Sequence, residues 1–103
     1  MQISRITDDY AVAPQIRPDE LAAIAAEGFV AIICNRPDAE EPGQPSAADI
    51  AAECARVGLN FHHIPVSSMP IPAEAIQEHR QVIEKSAGPV LGYCRSGQRS
   101  LAR

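Results

Sequence analysis

The sequence predicts an α/β domain with a mainly parallel central sheet flanked by helices, and three observations carry that expectation. Alanine-rich or amphipathic stretches alternate with short apolar runs, and each junction is marked by a glycine, at Gly28, Gly58 and Gly88. Those glycines recur at about thirty residues, the length of one helix-plus-strand unit. The run Phe29 to Cys34 is apolar on both faces, as a strand buried inside a parallel sheet is. A chain of 103 residues with 46% hydrophobic content suits a single domain, residues 1–103, with one modest core.

At the amino end, Ile3 to Ile6 and Tyr10 to Ala13 are expected to add a short hairpin or edge pair. The first helix should start near Arg17, with Pro18 where its missing N–H costs nothing. Leu21, Ile24 and Ala25 supply its buried face, and Gly28 stops it before the strand Phe29 to Cys34. The loop Asn35 to Pro45 follows, with Pro37, Pro42, Gly43 and Pro45 alongside Asp38, Glu40 and Glu41, and it is too long and too acidic for a simple turn. Ser46-Ala47-Ala48-Asp49 resembles a capping box with Asp in the acidic place. It opens a helix that buries Ile50, Cys54 and Val57 and ends at Gly58. Leu59 to Ile64 reads as the next strand, and Pro65 to Pro72 as a proline-rich loop. Pro72 is placed to open a third helix, running through Ile76 and Ile83 to about Ser86. Last comes Pro89 to Cys94, a strand that delivers Cys94 to its carboxyl end. Right-handed crossovers would bring residues 34–41, 64–69 and 94–99 to one crevice at that edge of the sheet.

The charge balance excludes several partners. Nine Lys and Arg against 13 Asp and Glu leave a formal charge of -4, so no basic excess exists to displace counterions from nucleic acid or bind an anionic membrane. The amino end lacks the pattern of a signal peptide and no segment is long enough to span a bilayer, so a cytoplasmic protein is expected. Three cysteines are an odd number without a paired framework, which fits a reducing compartment. His62, His63 and His79 are not at zinc spacings from the cysteines, and neither a metal nor another cofactor is expected.

The chemistry concentrates at Cys94-Arg95-Ser96-Gly97-Gln98-Arg99-Ser100. A nucleophile after a buried strand, a glycine that permits unusual backbone angles and an arginine at the far end are the parts of an anion nest. Amides converging on the sulfur would also stabilise its thiolate. Cys94 is therefore the expected nucleophile and Arg99 the bidentate anion holder, with Arg95, Ser96, Gly97, Gln98 and Ser100 lining the anion site. This requires the loop to close beneath a sulfur that opens to a solvent-connected hollow. Cys34 and Cys54 read as packing residues, and Cys34 becomes a resolving thiol only if it lines the crevice.

The loop resembles the active-site loop of single-domain rhodaneses, sulfurtransferases that place four residues between cysteine and arginine. Protein tyrosine and dual-specificity phosphatases place five there and follow the arginine with Ser or Thr, the place Ser100 takes here. Beyond the loop, almost the whole chain resembles the bacterial beta-lactamase hydrolase-like, phosphatase-like domains. The matching stretches are Val12-Ala13-Pro14-Gln15-Ile16, Asn35-Arg36-Pro37-Asp38 with Glu41 and Gln44-Pro45, Ile64-Pro65-Val66, and Gly88-Pro89-Val90-Leu91. The resemblance implies a dual-specificity-phosphatase-like fold, found alone or fused to a metallo-beta-lactamase-like persulfide dioxygenase, so a fused or separate dioxygenase is an implied partner. Relatives continue into a helix after the loop, so residues 1–103 are expected to lack a C-terminal helix and to show reduced stability or an exposed apolar face near the C-terminus.

A loop one residue shorter suits a terminal sulfur better than a phosphoryl group. In dual-specificity phosphatases an aspartate after a strand like Ile64-Pro65-Val66 protonates the leaving oxygen, whereas here Ser67-Ser68-Met69 follows and Glu74 belongs to a helix start. Tyr93 stands where those phosphatases often have histidine. Asn35, Arg36 and Asp38 are expected to hold the long loop through local hydrogen bonds and turns, with Asp38 as a replacement acid the alternative if its loop folds over Cys94. His62 and His63 have no site role. The leading expectation is a sulfurtransferase that carries sulfane sulfur from thiosulfate or a persulfide, as a Cys94 persulfide, to a thiol acceptor. The alternatives are a phosphatase for phosphotyrosine or a small phosphoester, working through a Cys94 phosphocysteine, a non-catalytic thiol sensor or anion-binding module, and a purely structural domain.

Overall fold

The computed structural model describes residues 2–67 and 70–101. Five strands form one sheet in the order β1-β2-β5-β3-β4. They are β1 (Ser4–Arg5), β2 (Tyr10–Ala13), β3 (Ala31–Cys34), β4 (Asn60–His63) and β5 (Val90–Tyr93). Only β1 runs antiparallel to its neighbour, which confirms a mainly parallel sheet with an added edge pair at the amino end. The strands are shorter than the apolar runs suggest. Phe29 and Val30 precede β3, and Leu59 and Ile64 flank β4; the backbone groups of Val30, Leu59 and Ile64 bond outside the regular ladder.

Helices cover both faces. A 3-10 turn at Pro18–Glu20 leads into α1 (Leu21–Ala26); α2 spans Ala47–Val57, α3 spans Ala73–Lys85, and α4 is a single turn at Gln98–Leu101. Ser46 caps α2 by accepting from the Asp49 amide at 3.1 Å, and Gly58 ends it in the left-handed region at φ 85°. One core layer packs Ala11, Ile32, Leu91 and Tyr93 of the sheet against Leu21 and Ile24 of α1 and Ile50 and Cys54 of α2. The other packs Tyr10, Ala31, Ile33 and Val90 against Ala75 of α3, with Ile64 and Val66. Burying each large aliphatic side chain contributes about 1.5–3 kcal/mol, so these layers dominate the stability of so small a domain.

Register fixes where the chemistry lies. Ala13 pairs with Tyr93, Tyr93 with Cys34, and Cys34 with His63, so four parallel strands end in one row. The next residues, Pro14, Cys94, Asn35 and Ile64, open the loops of a single edge, and β5 delivers Cys94 to its middle. Period-two alternation sends Tyr93 to the α1 and α2 side and turns Cys94 and Asn35 toward α3.

Candidate active site

Residues 94–100 close into a cup. The Gly97 amide donates to Cys94 Sγ at 3.0 Å, and the amides of Ser96, Arg99 and Ser100 also bond the sulfur. Gly97 adopts φ 92°, which turns its N–H inward, and a Cβ there would touch the Ala13 carbonyl at 3.6 Å. Burial pushes the Cys94 thiol up, but the four amides together pull harder, and the net shift is downward. Cys34 and Cys54 lack such a cradle, and burial raises both, Cys54 to about 11.

Arg99 lies against the same sulfur. Its Nη1 donates to Glu40 Oε2 at 2.8 Å and to the Val66 carbonyl at 2.7 Å, and its Nη2 donates to Glu40 Oε1 at 2.8 Å. The guanidinium is thus clamped by residues of the other two loops that the parallel topology was expected to bring together. Pairing with Arg99, and then with Arg36, holds the Glu40 carboxyl below its ordinary range. Arg36 is fully buried. It donates to Glu40 Oε1 and Gln15 Oε1, each at 2.9 Å, and its Nη2 lies 2.9 Å from Glu41 Oε1. Glu41 is lowered mainly by Arg36 and reaches Arg95 at 3.9 Å, so an acidic strap crosses from the 35–45 loop to the cup.

One expectation needs correction, and the alternative role for Asp38 is decided against. Cys94 has 0% exposure, so its sulfur does not open to a hollow in this closed arrangement; the loop amides sit beneath it and the clamped Arg99 against it. Asp38 does not reach the cup, because its Oδ1 accepts from the Ala47 amide at 2.7 Å and ties the loop to the start of α2. Cys34 also turns away, into the α1 and α2 layer, where it bonds the Tyr93 hydroxyl and donates to the Arg36 carbonyl at 3.3 Å. Arg95, Ser96 and Gln98 stand exposed on the outside of the loop, whereas Gly97 and Ser100 are buried within it. Leu101 is 52% exposed and borders a recess of about 210 Å³ behind the loop with Ala13, Pro14 and Gly97. Ser68 and Met69, part of the stretch that lacks the expected acid, lie outside the described residues.

The sequence did not single out Glu40, Val66, Tyr10 or His79. Tyr10 donates to the Ser100 carbonyl at 2.8 Å, passing over Gly92, where any side chain would run into its phenol. A glycine inside an otherwise bulky strand was the available signal. His79 lies on the buried stripe of α3 with Ala75, where it meets Asn35 and the ring of Tyr10. No group of three or more His, Cys, Asp or Glu among the described residues is arranged to hold a metal, and no described helix is long and apolar enough to cross a membrane.

A mainly parallel α/β sheet that presents a cysteine cradled by amides and a clamped arginine from one loop is the arrangement of a phosphatase-like domain. The chain belongs to the family described as beta-lactamase hydrolase-like protein, phosphatase-like domain, whose model matches residues 2–103. It is 38% identical to a protein of Neisseria meningitidis Z2491 described as a candidate phosphatase, covering 97% of this chain and 71% of that one with a TM-score of 0.88. It is 34% identical over 101 residues to the beta-lactamase hydrolase-like protein of Agrobacterium fabrum, covering 98% of this chain and 23% of the relative. The chain therefore spans about a quarter of the length of that curated relative. The catalytic core of the PP-IP phosphatase SIW14 of S. cerevisiae, 17% identical over 93% of this chain and 57% of that one with a TM-score of 0.68, shares the fold. These likenesses reverse the order of the two leading expectations, giving support to the phosphatase and none to the sulfurtransferase.

Proposed function

We propose that this domain is a cysteine-based phosphatase for small phosphomonoesters whose leaving group departs without a proton, aryl phosphates above all. The observation that carries the reading is the convergence of four loop amides and Arg99 on the Cys94 sulfur. Those donors suit the equatorial oxygens of a phosphoryl group in transfer, where charge stabilisation supplies most of the catalysis. The thiolate forms the S–P bond as the P–O bond breaks, and the leaving oxygen takes the electron pair. Water then attacks the phosphocysteine, releasing inorganic phosphate, a proton and the thiolate. Arg99 moves off the sulfur to admit the substrate and holds two of its oxygens.

The substrate preference follows from the carboxylates at the cup. Glu40 and Glu41 are both lowered by arginines, so neither keeps a proton to give at neutral pH, and Asp38 is engaged elsewhere. Aryl esters tolerate that lack; alkyl esters do not. Release of phosphate from p-nitrophenyl phosphate and a phosphotyrosine peptide, with none from a phosphoserine peptide, is the expected result. A mass increase of one phosphoryl group on Cys94 after acid quench would accompany it. Equal turnover of both peptides would overturn the leaving-group preference.

The four residues between Cys94 and Arg99 favour a second reading, sulfur transfer from thiosulfate or a persulfide to a thiol acceptor, with a fused or separate persulfide dioxygenase as partner. Incubation with thiosulfate or glutathione persulfide separates the two. A gain of one sulfur atom on Cys94, without phosphate release from any aryl ester, would put this reading first.

A further inference from the structure

We propose that His79 is a positioning residue for the nucleophile, acting on Cys94 through Asn35 and Ser100. The inference rests on Cys94 as the reacting atom and not on which group it transfers.

A buried chain of polar groups joins the helix α3 to the cup. Asn35 Nδ2 lies 2.9 Å from the Ile64 carbonyl and 2.6 Å from His79 Nε2, and Asn35 Oδ1 lies 2.8 Å from Ser100 Oγ. Asn35, His79 and Ser100 are each at most 1% exposed, so water does not substitute for these partners at the surface. The direction of every bond follows from one group. A carbonyl oxygen only accepts, so the Asn35 atom facing Ile64 is its NH₂, and its second N–H points at His79. His79 Nε2 must then accept, which requires it to carry no proton. The opposite atom of the Asn35 amide is the oxygen, so Ser100 O–H donates to it.

The consequence falls on the thiolate. Ser100 is held at two points, by Asn35 at its side chain and by Tyr10 at its carbonyl, 2.8 Å from the phenol. Its amide is among the four that bond the Cys94 sulfur and pull its titration downward. Asn35 also reaches the other half of the cup, because its carbonyl accepts from the Val66 amide at 3.0 Å and the Val66 carbonyl accepts from Arg99 at 2.7 Å. One residue therefore touches both halves of the cup, its side chain holding Ser100 and its backbone carbonyl holding Val66, and His79 fixes the sense of the side chain. The ring of Tyr10 stands edge-on to His79 at 6.1 Å, closing the chain into a loop through β2. A histidine kept only for packing needs none of this directionality.

The test is a titration of the Cys94 thiolate by its 240 nm absorbance, taken as the difference from Cys94→Ser in the same background, which needs no substrate. His79→Phe keeps a ring and removes the acceptor; the expected result is a pKa higher by about one unit, a roughly tenfold smaller thiolate fraction at neutral pH. His79→Gln offers an amide oxygen to Asn35 and is expected to restore most of the shift. Ser100→Ala removes one atom at the other end of the chain and is expected to raise the pKa in the same direction, which covers the case in which His79→Phe does not fold. Wild-type titration in the folded variants, with changes in melting temperature alone, would overturn the proposal and leave His79 a packing residue. An equal shift in His79→Phe and His79→Gln would also overturn it, since the acceptor would then be immaterial. Loss of phosphatase activity with an unchanged titration would likewise overturn the proposal, since the effect would not pass through the thiolate, whereas a shifted titration with no phosphate release from any ester would leave the proposal standing and count against the phosphatase reading.

Discussion

The loop that carries Cys94 and the loop that lies against it are held by opposite means. Residues 94–100 shape their site with backbone: four amides meet one sulfur, and a single glycine at φ 92° makes that possible. Residues 35–45 shape theirs with side chains: Arg36 gathers Glu40, Glu41 and Gln15, while Gln44 bonds the Glu40 amide at 3.0 Å and the Pro37 carbonyl at 2.9 Å. A site made of amides cannot be discharged by pH or salt, whereas a strap of carboxylates and guanidinia can. Under the proposed function, the difference separates the loop that performs the chemistry from the loop that governs access to it.

The strongest way to break the comparison is at the sulfur. Cys94→Ser should abolish phosphate release, on the order of 10⁴-fold or more, while circular dichroism shows the fold retained. Arg99→Lys replaces a planar fork with a point charge, and a loss of roughly 10²-fold in kcat is expected in steady-state assays. Glu40→Gln attacks the strap instead. Freed of its clamp, Arg99 should leave the sulfur more often, so iodoacetamide alkylation of Cys94 should accelerate by about tenfold at low salt and less at high salt. The acid side sharpens this. The Glu40 carboxyl titrates below 4.5 in the folded protein, so its stabilising contribution is complete above 4.5 and is lost as pH falls through the lower native value. Glu40→Gln should remove that acid-side loss from the wild-type stability profile.

Two smaller effects test the backbone side of each loop. Gly97→Ala asks an alanine to hold a left-handed angle and should cost about 1 kcal/mol in chemical denaturation, with a higher Cys94 pKa as its amide turns away. Asp38→Ala deletes the acceptor for the Ala47 amide and should also cost about 1 kcal/mol. It should leave the pH–rate profile unchanged, where a general acid would lose its alkaline limb.

Much of the cup was legible because its parts are adjacent in sequence. Cys94, Gly97 and Arg99 stand at the offsets that one turn of backbone needs, and Gly28 and Gly58 mark helix ends by the same local logic. The partners of Arg99 were not legible: Glu40 lies 59 residues away, and which carboxylate of Asp38, Glu40 and Glu41 would meet it depends on how the loop is tied at Ala47 and Gln44. His79 was read only as lying off zinc spacings from the cysteines, because nothing within a few residues of it tells that Asn35 waits opposite. The count of four residues inside the loop pointed to sulfur, whereas the family and the Neisseria relative point to phosphate.

The sequence by itself determined the alternation of helices and strands, the carboxyl-end position of Cys94 and the chemical character of its loop, because each depends on residues within a few positions of one another. Only the tertiary structure decided that β5 lies between β2 and β3, that Glu40 rather than Asp38 meets Arg99, that the sulfur is covered, and that His79 joins the network behind it. Those outcomes depend on strand order and register, which bring distant side chains within about 3 Å, a range over which hydrogen bonds select one partner and reject its neighbour.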